Sequence, residues 1–446
     1  MSDLIEPYVA ASTTPVVRNV GRAGWYVVIL CMLAYICSFV DRQILALLIE
    51  PIRADLGITD TQFGLLQGLA FAIFYGTMGM PIASLADRAS RPLIIALGMF
   101  FWSAATIACG AARSFGQLFL ARICVGAGEA ALSPATYSLI SDIFPKEKLG
   151  RAIAVYSVGT FLGTGLAFLA GGSVIAAVSA AGDWSLAGIA LKPWQVTLAL
   201  AGLPGLVLAA LILFTVREPH AGQDRTKGGD VPSFASVLGF LAQNRSIFLP
   251  HMVGFTLAAM SLYTLLSWSP AYLIRTFGLS PKDTGYWLGP IAIMAGGGGV
   301  LASGWLMDAL NRRGYADAPL RTGVIGALGV VVPAAALPFA SSLAVAVTLL
   351  SIALFFASFP QPPSAAVMQV VPPQRMRARI SAIFLCCNSL GGLALGSALV
   401  GALNDHVFGS AKAVGSSMAI VAGAAALIGG VILSRGMAPL RATGKH

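Results

Sequence analysis

Twelve apolar stretches, each about as long as the roughly 20 residues a helix needs to cross a bilayer, follow one another along the chain. They cover about 24–49, 62–85, 92–112, 117–141, 150–177, 194–216, 247–273, 284–307, 321–340, 343–370, 378–403 and 413–434. Charged residues make up 10% of the sequence and hydrophobic ones 57%. A soluble domain has about 25% charged residues, so most of this chain has no wet surface to present. The expected fold class is an all-α membrane protein of twelve transmembrane helices, built as two six-helix pseudo-repeats.

Lys and Arg are retained on the cytoplasmic side of a membrane, which sets the orientation. With the amino terminus inside, 20 of the 28 Lys and Arg fall on the cytoplasmic side, six fall outside, and two, Arg42 and Arg122, lie within spans. Both termini are therefore expected in the cytoplasm. The net charge of +10 is spread over alternate loops and forms no patch, which excludes a nucleic-acid partner. Residues 1–20 contain Asp3 and Glu6 and no short apolar core, so the first span is expected to insert the chain. The six cysteines lack metal-ligand or CxxC spacing and the four histidines are scattered, so no disulfide framework, metal or cofactor is expected. The N-x-S/T sequon, Asn244 to Ser246, falls on the cytoplasmic side and the tails are short, which points to a bacterial inner membrane.

The polar stretch REPHAGQDRTKGGDVP (217–232) separates the sixth and seventh spans, as a linker between two halves should. It predicts an amino-terminal bundle over 1–216, a linker over 217–246 and a carboxy-terminal bundle over 247–446. Within the linker, Phe234, Val237, Leu238 and Leu241 share one helical face, predicting a short interfacial helix on the cytoplasmic leaflet. The halves repeat each other. Arg151, Gly163, Pro134 and Pro145 match Arg379, Gly391, Pro362 and Pro373 at a constant offset of 228. Duplicated six-span chains are common among secondary transporters, with the substrate near mid-membrane between the repeats.

Four ionisable residues lie where hydrocarbon is expected: Asp41 and Arg42 in the first span, Arg122 and Glu129 in the fourth. Each costs about 2.5 to 3.5 kcal/mol near mid-membrane if unpaired, so a function must retain them. Arg122 and Glu129 are seven residues apart and share a face, about 10 Å apart along the axis; Gly126, Ser133 and Thr136 continue that stripe. Burial favours a neutral carboxylate and a neighbouring guanidinium favours a charged one, so moving the arginine changes proton affinity. Asp41 and Glu129 are the candidate proton carriers, and Arg42 and Arg122 the candidates to bind an anionic headgroup or release a carboxylate. A static network that only joins helices is the alternative.

The loop after the second span reads ASLADRASRP, with Asp87, Arg88 and Arg91, and the loop after the eighth reads GWLMDALNRR, with Asp308, Arg312 and Arg313. These resemble the paired G-x-L-x-D-R-x-G-R-R signature of the major facilitator superfamily, with Ala83 and Ser90 replacing the usual glycines in the first copy. The resemblance implies the major facilitator fold and a cytoplasmic latch between the halves. Charges that only enforce topology are the alternative. The segments VDR (40–42), DLG (55–57), FGLLQ (63–67), LADR (85–88), FWS (101–103), RICVGAGEAALSP (122–134) and LISDIFP (139–145) together resemble the spinster family of lipid transporters. That resemblance covers residues 40–170 and implies a polar cavity centre made of Asp41, Arg42, Arg122 and Glu129, with a carboxylate taking part in proton coupling.

The second half contributes Tyr263, Trp268, Phe355, Phe356, Phe359 and Asn388 and no deeply placed charge. Together with Ser133 from the first half, Tyr263, Trp268, Phe355, Phe359 and Asn388 are the expected cavity lining, and for each aromatic ordinary core packing is the alternative. One charged wall and one apolar wall suit an amphiphile, in agreement with the family resemblance. No nucleophile with its base and no G-x-x-x-x-G-K-[ST] element is present, which argues against an enzyme and against ATP-driven transport. The expected function is proton-coupled carriage of an amphipathic or anionic small molecule, a lysophospholipid or sphingoid-type lipid. A sugar, organic-acid or drug carrier is the alternative. The expected partners are the substrate, protons and membrane lipids, and a monomer is expected.

Overall fold

The computed structural model describes residues 21–86, 89–182, 184–186, 188–219, 233–373 and 375–443. Among these, eleven helices are long and apolar enough to cross a membrane: Arg22–Leu47, Arg91–Cys109, Phe115–Ile143, Glu147–Ala180, Pro193–Thr215, Arg245–Phe277, Pro281–Arg312, Ala318–Phe339, Leu343–Gln369, Arg377–Val407 and Ala411–Ala442. The continuous helical run over 60–86 is the second of the twelve spans. The face where the first span begins is here the near face, and the opposite one the far face.

Several spans start at the far face on side-chain caps that the sequence spells out. Thr59 and Gln62 form a reciprocal capping box at the second span. Ser114, Ser280 and Ser342 accept from Gln117, Asp283 and Val345 at the fourth, eighth and tenth. Each cap satisfies amide groups that would otherwise be orphaned at a helix end. The seventh span stops at Gly278, whose φ of +67° supplies the left-handed C-terminal turn.

Three features were not anticipated. A short helix, Ile49–Leu56, follows the first span. A small antiparallel hairpin, Trp184–Leu186 with Ile189–Leu191, caps the loop between the fifth and sixth spans. The second, eighth and eleventh spans pass through π-helical turns at Leu65–Leu69, Ile291–Gly296 and Asn388–Ala394. The linker helix forms as expected over Phe234–Gln243. Its apolar face is split, however: Val237 is buried against Phe248, Met368 and Ile380, while Phe234 and Leu238 are exposed. It packs edgewise on the seventh and eleventh spans, and so cannot bury the whole stripe.

The duplication reappears as matched packing. A Cβ on Gly163 would lie 2.8 Å from the Ile36 carbonyl of the first span, and one on Gly391 2.6 Å from Thr256 of the seventh. The fifth span thus packs against the first as the eleventh packs against the seventh, through glycines 228 residues apart.

Glycines also control how the two sets of six spans meet. Along the seam of the second and eleventh spans, a Cβ on Gly64 would collide with the Ser397 carbonyl, and one on Gly68 would lie 2.7 Å from that of Leu393. Nearer the other face, one on Gly76 would lie 3.2 Å from Ser389 Cβ and one on Gly79 3.9 Å from Leu385 Cδ2. The fifth and eighth spans behave alike: Gly285 abuts the Phe168 carbonyl, whereas nearer the other face a Cβ on Gly296 would meet the Phe161 ring, a side chain, at 2.8 Å. Both seams are backbone-tight at the far face and loosen toward the near face, so the halves form a V closed on one side of the membrane.

Candidate functional site

The sequence GAGEAA draws the fourth span against its neighbours. A Cβ on Gly126 would strike the Phe71 carbonyl of the second span, and one on Gly128 would lie 2.7 Å from the Trp102 amide nitrogen of the third. Only glycine permits these approaches, and they press Phe71 and Trp102 around the charges that the first and fourth spans carry.

Glu129 is 1% exposed. Its Oε2 accepts from Arg42 Nε at 2.7 Å and Ser38 Oγ at 2.6 Å, and lies 2.6 Å from Arg42 Nη2. Glu129 Oε1 has no hydrogen-bond partner among the described residues. The guanidinium sits among three rings, 4.4 Å from the Phe71 centroid, 4.5 Å from Tyr75 and 4.9 Å from Phe39. A desolvated cation is attracted to such ring faces, and a carboxylate on its other side completes the compensation.

Asp41 takes a different direction, because adjacent helical residues point about 100° apart. Its Oδ2 accepts from Thr106 Oγ1 at 3.4 Å, and its Oδ1 has no hydrogen-bond partner among the described residues. Arg122 Nη1 donates to the Asp41 backbone carbonyl at 3.3 Å, and Arg122 lies 5.7 Å from the Phe71 ring. All four charges are buried in one region, but in two layers. Arg42 is gripped by Glu129, whereas Asp41 and Arg122 meet through a carbonyl.

A cavity of about 340 Å³ lies between the halves and reaches Arg42. The first half supplies Tyr35, Tyr75 and Tyr137 to its wall, and the second supplies Phe255, Tyr263, Phe384 and Asn388. Gln361 and Ala365, which line it toward the near face, are exposed. Sequence reasoning missed the three tyrosines of the first half. Tyr35 and Phe39 precede Arg42 at helical spacing, as Phe71 and Tyr75 do each other, and that periodicity was the available signal.

Of the expected lining residues, Tyr263 and Asn388 face the cavity and four do not. Ser133 bonds the Tyr156 hydroxyl at 3.1 Å. Trp268 is fully buried at the far-face seam, its Nε1 donating to the Ser397 carbonyl at 3.0 Å. Phe355 and Phe359 form an aromatic trio with Phe356, seated on Gly299 and Gly326 of neighbouring spans. Phe355 and Phe359 thus pack within the second half, and Trp268 packs at the seam, edge-on to Phe63 of the first half.

Asp87 and Arg88 lie outside the described residues. Arg91 does not reach the second half. It is 1% exposed and pairs with Asp142 at 2.6 Å and with Glu218, while donating to the Ser138 carbonyl at 2.8 Å. It therefore braces the third and fourth spans and the segment after the sixth. Asp308, Arg312 and Arg313 are exposed.

A denser charge cluster, unforeseen in the sequence, joins the halves at the far face. Asp60 is fully buried; its carboxylate accepts from both Nη groups of Arg275 at 2.6 and 2.8 Å and from Asn404 Nδ2 at 2.8 Å, and forms an ion pair with Arg53, whose Nε lies 2.9 Å away. Arg275 Nε also donates to Glu50 at 2.6 Å. Asp405 of the second half caps the second span of the first, accepting from the Thr61 amide at 2.6 Å and hydroxyl at 2.7 Å. Asp60 was concealed because Asp beside a Thr cap reads as ordinary helix initiation.

A two-part helical bundle with one closed seam and a buried ion pair at its central cavity is the architecture of a membrane carrier. The Major Facilitator Superfamily profile matches residues 31–396, and the chain belongs to that superfamily. Within it, the chain is similar to transporters of the spinster type. It is similar to a solved bacterial homologue of the human lysosomal transporter spinster, in an inward-facing and unoccupied conformation, with a TM-score of 0.78 and 26% identity over 94% of this chain and 97% of that one. It is 28% identical to protein spinster of Drosophila melanogaster, covering 71% of this chain and 50% of that protein. It is also 29% identical to an MFS-type efflux pump of Mycolicibacterium smegmatis over 95% of both chains, and 27% identical to a probable L-galactonate transporter of Escherichia coli over 81% of this chain and 80% of that one. The protein is thus a multi-pass membrane transporter and not an enzyme.

Proposed function

We propose that this chain is a proton-coupled carrier that moves a single-tailed amphiphile with an anionic head, of the lysophospholipid or sphingoid class, by alternating access. The observation that carries the reading is the Arg42–Glu129 ion pair, held among aromatic rings where the cavity reaches the first half. Arg42 can bond either the buried carboxylate or an incoming anion, and a proton on Glu129 decides between them. Asp41, buried behind the pair with Oδ1 unpartnered, is the second proton site. The working bodies are residues 1–216 and 247–446, joined by 217–246, with both termini in the cytoplasm of a bacterial inner membrane and one chain per unit.

The volume supports a small cargo. About 340 Å³ is at the lower end of the roughly 300–1,000 Å³ usual for ligand pockets, which suits one hydrocarbon tail better than two. A sugar-acid or drug cargo is the second reading. The hydroxyls of Tyr35, Tyr75, Tyr137 and Tyr263 along the wall favour it, as do the relatives named for efflux and for L-galactonate.

Purified protein in liposomes under an imposed proton gradient separates these readings. Lysophospholipid and sphingoid probes are expected to accumulate, and Asp41→Asn is expected to abolish the proton-driven part. Accumulation of sugar acids or drugs alone would transfer the assignment to the second reading, and uptake indifferent to the gradient would remove coupling from it.

A further inference from the structure

Among the described residues, the cavity wall carries one cationic side chain, Arg42, and no anionic one. The remaining polar wall is neutral: the tyrosine hydroxyls, Thr160, Thr164, Gln361, Ser364 and Asn388. Glu129 lies behind Arg42, away from the wall. Arg122, the other deep cation, is outside the lining, with Asp41 beside it. The charge count at the site is therefore zero while Glu129 is ionised, and plus one once it holds a proton. The opposite wall, with Leu262, Leu266 and Leu354, offers nothing to compensate further charge.

We infer that the headgroup accepted here carries one negative charge, a phosphodiester or a carboxylate, and that a phosphate monoester bearing two is disfavoured, which within the proposed class favours lysophospholipid diesters over phosphorylated sphingoid bases. The inference rests on the reading that Arg42 receives the substrate's anion. A monoanion replaces Glu129 on the guanidinium as that carboxylate is neutralised, and the site returns to zero charge. A dianion would leave one unit uncompensated among aromatic and aliphatic groups, where an unpaired charge is strongly disfavoured. Two of the five guanidinium N–H groups already suffice to hold Glu129, and the tyrosine hydroxyls add donors without adding charge, so hydrogen bonding does not favour the dianion enough to offset this.

The test uses full-length protein in a neutral detergent at pH 8, with Glu129→Gln fixing the site at plus one. Binding of decyl methyl phosphate and decanoate, both monoanions, is compared with that of decyl phosphate, which is mostly dianionic at this pH because its second pKa is about 6. The expected result is that at least one monoanion binds about tenfold or more tighter than the dianion, a difference of about 1.4 kcal/mol, and that Arg42→Gln removes the binding of all three. Whichever monoanion leads identifies the source as diester or carboxylate. Equal or tighter binding of decyl phosphate, still lost in Arg42→Gln, would overturn this inference and leave the proposed function standing. Binding of none of the three, or binding unaffected by Arg42→Gln, would overturn both.

Discussion

Liposomes bearing Glu129→Gln will fail to concentrate substrate against a gradient, while exchange of substrate across the membrane continues. The argument starts from geometry. Glu129 Oε2 receives Arg42 and Ser38, and the amide oxygen of Gln can accept from both, so the fourth span keeps its seat. What disappears is the ability to switch charge at that position. One proton entering with one negative charge moves no net charge, so the pH difference does the work: one pH unit is worth about 1.4 kcal/mol, which supports an accumulation of roughly tenfold. In Glu129→Gln that ratio is expected to fall to about one, while counterflow driven by unlabelled substrate keeps the same order of magnitude. Wild-type accumulation in the variant would show that the proton travels elsewhere.

The second large effect is expected far from the cavity. Asp60→Asn removes the charge that holds Arg275, Arg53 and Asn404 together across the far-face seam. Removing one partner of a buried ion pair typically costs about 3 to 5 kcal/mol, because the other charge is left uncompensated. The contacts with Arg275 and Asn404 join opposite halves, so most of the loss falls on the far-closed conformation rather than on the fold of either half. A shift of about a hundredfold or more toward far-side opening follows from that range. Maleimide labelling of Ala398→Cys, placed where Gly64 meets the eleventh span, in a background without the native cysteines, should rise steeply in Asp60→Asn. Glu50→Gln should do much less, since that side chain is 39% exposed and its pair is screened by water. Unchanged labelling in Asp60→Asn would mean that the glycine seams alone keep the far face shut.

How much of this was legible in the sequence depends on the range of the interaction. The spans were legible because hydropathy and caps are local: Thr59, Ser114, Ser280 and Ser342 mark helix starts within a few residues of the expected boundaries. The duplication was legible because Gly163 and Gly391 do the same packing work in each half. The charges of the first and fourth spans were legible because a bilayer makes them conspicuous. Their pairing was not, since the choice of Arg42 rather than Arg122 for Glu129 depends on how Gly126 and Gly128 rotate the fourth span against its neighbours. The second-half aromatics misled for a related reason. Phe355 and Phe359 share a helical stripe, and a stripe looks the same in sequence whether it faces a cavity or the glycines of an adjacent helix. The far-face cluster was hidden because Asp60 and Arg275 are 215 residues apart and each looks unremarkable in its own loop.

The central claim is that a proton on Glu129 and an anion on Arg42 arrive together. Proton uptake on ligand addition measures that directly, in weakly buffered solution near neutral pH with purified protein in neutral detergent. The expected result is uptake of about one proton per ligand bound to the wild-type protein, as linkage between the two binding events requires, and none in Glu129→Gln under the same conditions. Ligand binding without proton uptake in the wild type, or with undiminished uptake in Glu129→Gln, would contradict the account.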